Sequence, residues 1–366
     1  MKFIYSKWTA QSLTDEQRLE QLFSLFSYLL IQTNGDPNEA LEWLHQLDDK
    51  YNLFDNNISF SDFVEKLKEK GYIDENNGIY ILKSGGTIRM RQDAFKEIFS
   101  NMKKSPEGLH ETPQSGSGVE RQSTTKKYRF GDQPTNIDTT QTLSNVFKRE
   151  GIDNFNLNED DIEIYDTEHQ TSSATVLLID ISHSMILYGE DRITPAKQVA
   201  LALSELILSK YRKDSLNIVL FGDDAKEVSV ADLPFITVGP FHTNTKAGIE
   251  LARHILKRKK NANKQIFMIT DGKPSAVFES GNSKRIYKNS FGLDPKIVNK
   301  TLDEAVACRR EKIKITTFMI ADDPYLVEFV QEFTKANNGK AYYSSLNDLG
   351  EQIFLDYFKN KRRMED

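Results

Sequence analysis

One cysteine, Cys308, in 366 residues excludes an internal disulfide framework and any thiol-rich zinc site, because each needs several thiols. Such a chain suits a reducing compartment. Ten prolines and 19 glycines are too few for a fibrous or low-complexity chain, and 38% hydrophobic with 28% charged residues is the profile of an ordinary globular one. Long apolar runs are missing too. The greasiest stretch, 22–31, is broken by Ser24 and Ser27 and is too short to span a bilayer, and the opening MKFIYSKWTAQS has no apolar core after its lysine. No membrane segment is therefore expected, and the chain is expected in the cytoplasm. Nor is charge of one sign in large excess: 48 basic against 54 acidic residues give no global field that would draw the protein to nucleic acid.

The length predicts two compact units. Between them, residues 103–127 carry only Leu109 and Val119 as sizeable apolar side chains, too little to offset ordering entropy, and read as a flexible linker. Upstream, in 1–102, Thr14 and Gln17 form a capping box before Leu19, Leu22, Phe23, Phe26, Leu29 and Leu30, one face of a helix. Asp36-Pro37 opens a second helix, Ser61–Lys70 a third, and Gly71 ends it. Two short strands around a DENNG turn and a helix through Met90, Ala94, Phe95, Ile98 and Phe99 complete a mainly helical, winged-helix-like domain. Its 11 basic against 16 acidic residues favour a protein contact over DNA, and Lys66, Lys68 and Lys70 read as a solvated helix end. Residues 128–171 form a connecting segment in which seven acids between Asp153 and Glu168 flank a solvated edge strand at Ile162 and Ile164.

From 172 to 366 the pattern changes. Near-continuous apolar runs at ATVLLID, LNIVLFG, QIFMITD and KITTFMI, each followed by a helical period, are the mark of parallel strands covered on both faces. A short antiparallel strand at Lys226–Val230 and a last strand at Lys340–Ser344 bring the expectation to an α/β fold, a doubly wound, mostly parallel six-stranded sheet.

Three polar segments sit where apolar strands or their loops end: Asp180-Ile181-Ser182-His183-Ser184, His242-Thr243-Asn244-Thr245 and Thr270-Asp271-Gly272. In a parallel sheet these ends share one rim, so the segments can meet. Their donors are hydroxyl and carboxylate oxygens, which suit a small octahedral cation, Mg2+ or Mn2+, and not zinc or copper. A single Asp-Ser pair after a strand is commonly a helix cap, but three convergent segments exceed what capping needs. Asp223 and Asp224 read as turn formers, and Arg258-Lys259-Lys260 and Lys361-Arg362-Arg363 as solvated helix ends.

These residues resemble the metal-ion-dependent adhesion site (MIDAS) of von Willebrand factor A (VWA) domains, with the likeness running from about Ser172 to Lys359. The resemblance implies that Asp180, Ser182, Ser184, Thr243 and Asp271 bind Mg2+. Thr245 is an alternative to Thr243, though the family pattern favours the first threonine, and His183 falls where that pattern is permissive and receives no role. The architecture is also similar to bacterial CoxE-like proteins related to the integrin-like part of magnesium chelatase, on the stretch from Tyr128-Arg129-Phe130-Gly131-Asp132 to Leu143 and on Ile269-Thr270-Asp271-Gly272-Lys273-Pro274. That likeness implies a AAA+ ATPase partner of the MoxR or magnesium-chelatase type.

An enzyme is not expected. An aspartyl-phosphate phosphatase would carry a second Asp where Ser182 stands, a serine hydrolase a Gly-x-Ser-x-Gly elbow, and a nucleotide enzyme a phosphate loop. The reading is a Mg2+-dependent protein-binding adaptor whose partner supplies a carboxylate to the metal. An RNA-associated VWA protein is the alternative, a metal-dependent hydrolase is weaker, and an extracellular adhesin conflicts with the opening residues. The long polar stretch 273–293, with Lys284, Arg285, Tyr287 and Lys288, reads either as a partner-contacting loop or as a solvated insertion. Limited proteolysis is expected to nick first between Lys103 and Lys127. First cleavage within Lys257–Lys264 would displace that boundary.

Overall fold

The computed structural model describes residues 14–55, 57–104, 120–128, 137–151, 156–168, 172–189, 191–211, 213–271, 273–279, 285–289, 292–320, 324–343 and 348–362. Most of the expected linker (105–119), the Arg129–Asp132 stretch, Gly272, Lys284 and Arg363 lie outside them.

Helix α1 (Asp15–Gln32) starts at the expected capping box: Thr14 Oγ1 accepts from the Gln17 amide at 3.3 Å while Gln17 Oε1 accepts from the Thr14 amide at 3.2 Å. Helix α2 (Pro37–Tyr51) follows the Asp36 cap, and α3 (Phe60–Glu69) follows the Ser59–Asp62 capping box. Gly71, at φ +68°, turns the chain out of α3 into the hairpin β1 (Ile73–Asn76) and β2 (Ile79–Leu82), whose tip, Asn77-Gly78, has two positive φ angles of 52° and 76°. Helix α4 (Ser84–Lys104) closes this region. Phe23, Phe26 and Phe63 pack among themselves at its centre, with ring centroids 5.4 and 6.2 Å apart.

The segment expected as linker departs from its reading at its end. Glu120–Lys127 is strand β3, which precedes α5 (Thr139–Glu150) and pairs antiparallel with β4 (Glu163–Glu168). Lack of apolar side chains does not forbid such a strand, because the ladder satisfies the backbone groups and Lys127 stands opposite Glu163. Strand β4, expected as a solvated edge strand, pairs with β3 in a two-stranded sheet and buries Ile164.

The remaining chain runs β5 (Ser173–Asp180), α6 (Ile193–Lys210), β6 (Ser215–Phe221), β7 (Ala225–Val228), α7 (Thr245–Lys257), β8 (Asn263–Thr270), β9 (Ala276–Phe278), β10 (Ile286–Lys288), α8 (Pro295–Arg310), β11 (Lys314–Met319), α9 (Pro324–Asn337), β12 (Lys340–Tyr343) and α10 (Leu349–Arg362). Six strands form one sheet in the order β12-β11-β8-β5-β6-β7, all parallel except β7. From β5 the chain winds first to one side and then to the other, so strand order reverses beside its carboxyl end. Val176 and Leu178 face one way, into a core with Ile249, Leu256, Cys308, Phe329 and Phe333 from α7, α8 and α9. Burial pushes the Cys308 thiol up to about 12, so it behaves as a small apolar side chain.

Helix α6 buries Ile193, Ala196, Val199, Ala200, Leu203, Leu206 and Ile207, and Leu201, Ala202 and Ser204 as well. Helix α4 packs along its other side, with Arg91 Nε 3.3 Å from Glu205 Oε2. Contacts accordingly divide the chain into one compact unit of 1–105 with 173–356 and another of 106–172 with 357–366, a division that breaks near the boundaries expected at 102 and 171, has no break at 127 and groups 1–105 with 173–356. A nick in the expected linker would leave α4 still packed on α6. Among the described residues no helix is long and apolar enough to cross a membrane.

Lys197 lies at the centre of this packing. Its side chain is fully buried, and Nζ donates to Asn34 Oδ1 at 2.6 Å and to the Pro234 carbonyl at 3.3 Å. Both acceptors are neutral, so burial lowers its pKa from 10.5 to about 8, with Asp191 opposing the shift. Between those values the unfolded chain binds the proton that the folded one has lost, so stability rises with pH there by an integrated amount of about 3 kcal/mol. Urea unfolding of wild type and Lys197→Met from pH 7 to 10.5 is expected to show their difference constant below about pH 8 and moving in favour of wild type above it. A difference that does not change with pH would contradict the depressed lysine.

Candidate functional site

All five residues expected to form the site come together at the carboxyl end of β5. Asp180, the last residue of β5, is fully buried. Its Oδ1 accepts from the Ser182 amide at 2.9 Å and its Oδ2 from Thr270 Oγ1 at 2.6 Å, so the carboxylate is held from its own loop and from the end of β8. Past Asp180 the chain turns into a 3-10 segment, His183–Gly189, anchored by the His183 amide donating to the Phe241 carbonyl at 3.1 Å. This turn directs Ser182 and Ser184 to the same place, with their Oγ atoms 3.1 Å apart, and leaves the intervening His183 exposed.

Thr243 Oγ1 donates to Ser182 Oγ at 3.0 Å, and Ser184 Oγ donates to Asp271 Oδ1 at 2.8 Å. Thr243, Ser182, Ser184 and Asp271 thus form one continuous chain of oxygens. Thr245, the alternative ligand, is instead the first residue of α7, buried behind the Asn244 cap whose Oδ1 accepts from the Ala247 amide at 3.1 Å. Capping and site formation are divided between neighbouring residues.

Asp180 and Asp271 are both buried, and burial followed by the Asp271 charge raises the Asp180 carboxyl well above the usual carboxylate range. The group has two carboxylates and three neutral hydroxyls, an electrostatic deficit that a cation would relieve. Oxygen spacing agrees with this: bonds of about 2.1 Å in an octahedral Mg2+ shell place adjacent ligands about 2.9 Å apart. Among the described residues no group of three or more His, Cys, Asp and Glu converges, so a metal in this fold would depend on the hydroxyls. The donor set therefore fits Mg2+ or Mn2+, with Ser182, Ser184, Thr243, Asp180 and Asp271 available to hold it.

Two contributors were not anticipated. Asp223, read as a turn former, accepts from the His242 amide through Oδ1 at 2.8 Å and from Lys288 Nζ through Oδ2 at 2.6 Å, while its carbonyl accepts from Asn244 Nδ2 at 2.9 Å. It ties together three loops of the rim. Arg192 Nη1 donates to Asp271 Oδ2 at 2.6 Å. Nothing in the spacing of Asp191-Arg192-Ile193 marks that pairing.

The polar stretch 273–293 is also more than a solvated insertion. It contains the antiparallel pair β9–β10, buries Ala276 and Val277, and is strapped to the site where the Ser275 amide donates to the Thr243 carbonyl at 2.9 Å and the Thr243 amide to Ser275 Oγ at 2.9 Å. Lys288 is engaged by Asp223, and Arg285 is exposed just before the second strand of this hairpin.

Comparison with known proteins agrees with this architecture. Residues 173–358 match the family described as "Rv0959-like protein, vWA domain", and residues 120–167 match "Rv0959-like protein, third domain". The chain is 26% identical over 361 residues to Uncharacterized protein Rv0959 of Mycobacterium tuberculosis and to Uncharacterized protein Mb0984 of Mycobacterium bovis, covering 96% of this chain and 52% of each relative. It spans about half the length of the curated relatives it matches. Among solved structures it is similar to the PilB minor pilin from Streptococcus sanguinis (TM-score 0.41, 16% identity, 56% of this chain and 64% of that one). It is also similar to the vWF domain of the type V pili tip protein Mfa5 from Porphyromonas gingivalis (TM-score 0.41, 14% identity, 54% and 96%). With the vWA match extending over more than half of its residues, the chain belongs to the Rv0959-like family of vWA-domain proteins.

Proposed function

We propose that the chain is a non-enzymatic, Mg2+-dependent protein-binding adaptor. The observation that carries this reading is the convergence of Ser182, Ser184 and Thr243 hydroxyls with the buried Asp180 and Asp271 carboxylates at the point where strand order reverses. Membership of the vWA family supports an interaction role for the same rim. A divalent ion, when bound, supplies an open coordination position that a carboxylate from another protein can fill. The residues of this chain hold the donors in place: Thr270 and the Ser182 amide fix Asp180, Ser275 fixes Thr243, and the turn after β5 orients both serines. Asp180 has both oxygens engaged and is poorly placed as a nucleophile, which argues against phosphoryl transfer. The partner we favour is a AAA+ ATPase of the MoxR or magnesium-chelatase type, acting with the chain inside the cell on assembly of, or metal insertion into, a client protein.

Calorimetric titration with Mn2+ is expected to show one site in wild type and at least about tenfold weaker binding in Ser184→Ala, since a lost ligand costs about 1.4 kcal/mol or more. Equal affinity in the two proteins would remove the site as described.

Partner capture from native lysate is expected in Mg2+ and absent in EDTA, and absent also for Asp180→Ala although its circular dichroism matches wild type. Arg285→Glu, away from the donors, is expected to weaken capture without altering Mn2+ affinity. Capture that persists in EDTA and in Asp180→Ala would move the interaction to another surface and refute a metal bridge.

A further inference from the structure

The geometry points to Arg192 as an internal cation that competes with the divalent ion for Asp271 and thereby keeps the site's metal affinity low. This inference rests on the metal-site reading above and adds to it a positioning residue that the family match does not assign.

Three observations carry it. First, contact: the Asp271 side chain is fully buried, the Arg192 side chain is 14% exposed, and Nη1 lies 2.6 Å from Oδ2, a short charge-assisted bond in a water-poor place. Second, delivery. Arg192 is the N-cap residue of α6, yet its side chain caps no helix amide, and its own amide donates to the Met185 carbonyl at 3.0 Å. The 3-10 turn that carries Ser184 inward is thus closed by the residue that brings the guanidinium to the same carboxylate. Third, charge: three of the five donors are neutral hydroxyls, and Asp180 and Asp271 are the two acids of the group. With Arg192 in place one of those two negative charges is already compensated. A dication entering beside it meets a like charge, and it shares Asp271 with a donor that holds one of the two carboxylate oxygens.

One consequence follows from that competition. Metal binding requires the guanidinium to loosen or leave Oδ2, which makes binding weaker than the donor set alone would give.

Arg192→Gln keeps a planar hydrogen-bond donor but removes the charge, and Arg192→Lys keeps the charge. Mn2+ titration by calorimetry is expected to give a Kd at least about tenfold tighter for Arg192→Gln than for wild type, because a like charge at this range costs well over one decade even at high effective dielectric. Arg192→Lys is expected within about threefold of wild type. In EDTA, Arg192→Gln should melt below wild type, since it leaves two buried carboxylates uncompensated, and saturating Mn2+ should reverse that order. Wild type supplies an independent reading if the glutamine variant does not fold: the guanidinium NMR signals of Arg192, slowly exchanging in EDTA, should shift and exchange faster in saturating Mg2+. Unchanged Arg192 signals, or a folded Arg192→Gln that binds Mn2+ no more tightly than wild type, would overturn the inference and leave the metal site standing. Absence of Mn2+ binding in wild type and both variants would overturn the metal reading itself.

Discussion

A strand without an exposed residue has to be covered on both faces, and β5 is such a strand. Its eight residues lie inside the sheet, paired with β6 on one side and β8 on the other, and α7 packs directly against it. Helices α7, α8 and α9 cover one face. On α6 the demand for burial extends outward, because that helix is apolar on more sides than the sheet can use. The surface left over is covered by α4 of the amino-terminal helical region. A buried lysine at this contact shows how closely the two are joined: Lys197 gives its hydrogen bonds to the α1–α2 turn at Asn34 and to Pro234 near the sheet. Gly35 lies so near the Phe235 ring that a Cβ there would meet it at 2.8 Å.

The same strand ends in a carboxylate. Burying Asp180 beside Asp271 costs solvation that helix packing cannot return, and neither acid is needed to finish the sheet. Hydrogen bonds from Thr270, Ser184 and the Ser182 amide and the Arg192 ion pair offset part of that cost. What they leave is an oxygen-rich cluster at a sheet rim with more negative than positive charge, held in place by hydrogen bonds. Stability alone would favour apolar residues there, so the cluster is best understood through what it can bind.

Asp223 and Ser275 extend that rigidity to the surrounding loops. Asp223 joins the β6–β7 turn to the segment before α7 and to β10, and Ser275 joins the β9 approach to Thr243. The oxygen cluster and the hairpin beside it are consequently tied together by hydrogen bonds. The hairpin is fastened to Thr243 by the Ser275 and Ala276 amides, which donate to the Thr243 carbonyl, and by Ser275 Oγ, which accepts from the Thr243 amide.

Strands buried on both faces could be recognised because continuous apolar runs have few other uses, and the three polar segments because oxygen-bearing residues at strand or loop ends interrupt those runs abruptly; the choice of Asp180, Ser182, Ser184, Thr243 and Asp271 within them rested on the resemblance to VWA domains. By itself the sequence thus determined a doubly wound, mostly parallel six-stranded sheet and the placing of three polar segments on one rim of it. It could not determine partners whose identity depends on where separate loops meet. Asp223 looks like any turn aspartate, and Arg192 like any charged residue ahead of a helix. Strand β3 carries no apolar signal because a backbone ladder holds it, and the excess apolar surface of α6 does not say which helix will cover it. Periodicity and composition record how each element faces the core; salt bridges between loops, strand pairing without burial and helix-on-helix docking arise from proximity in space, so only the tertiary structure decided them.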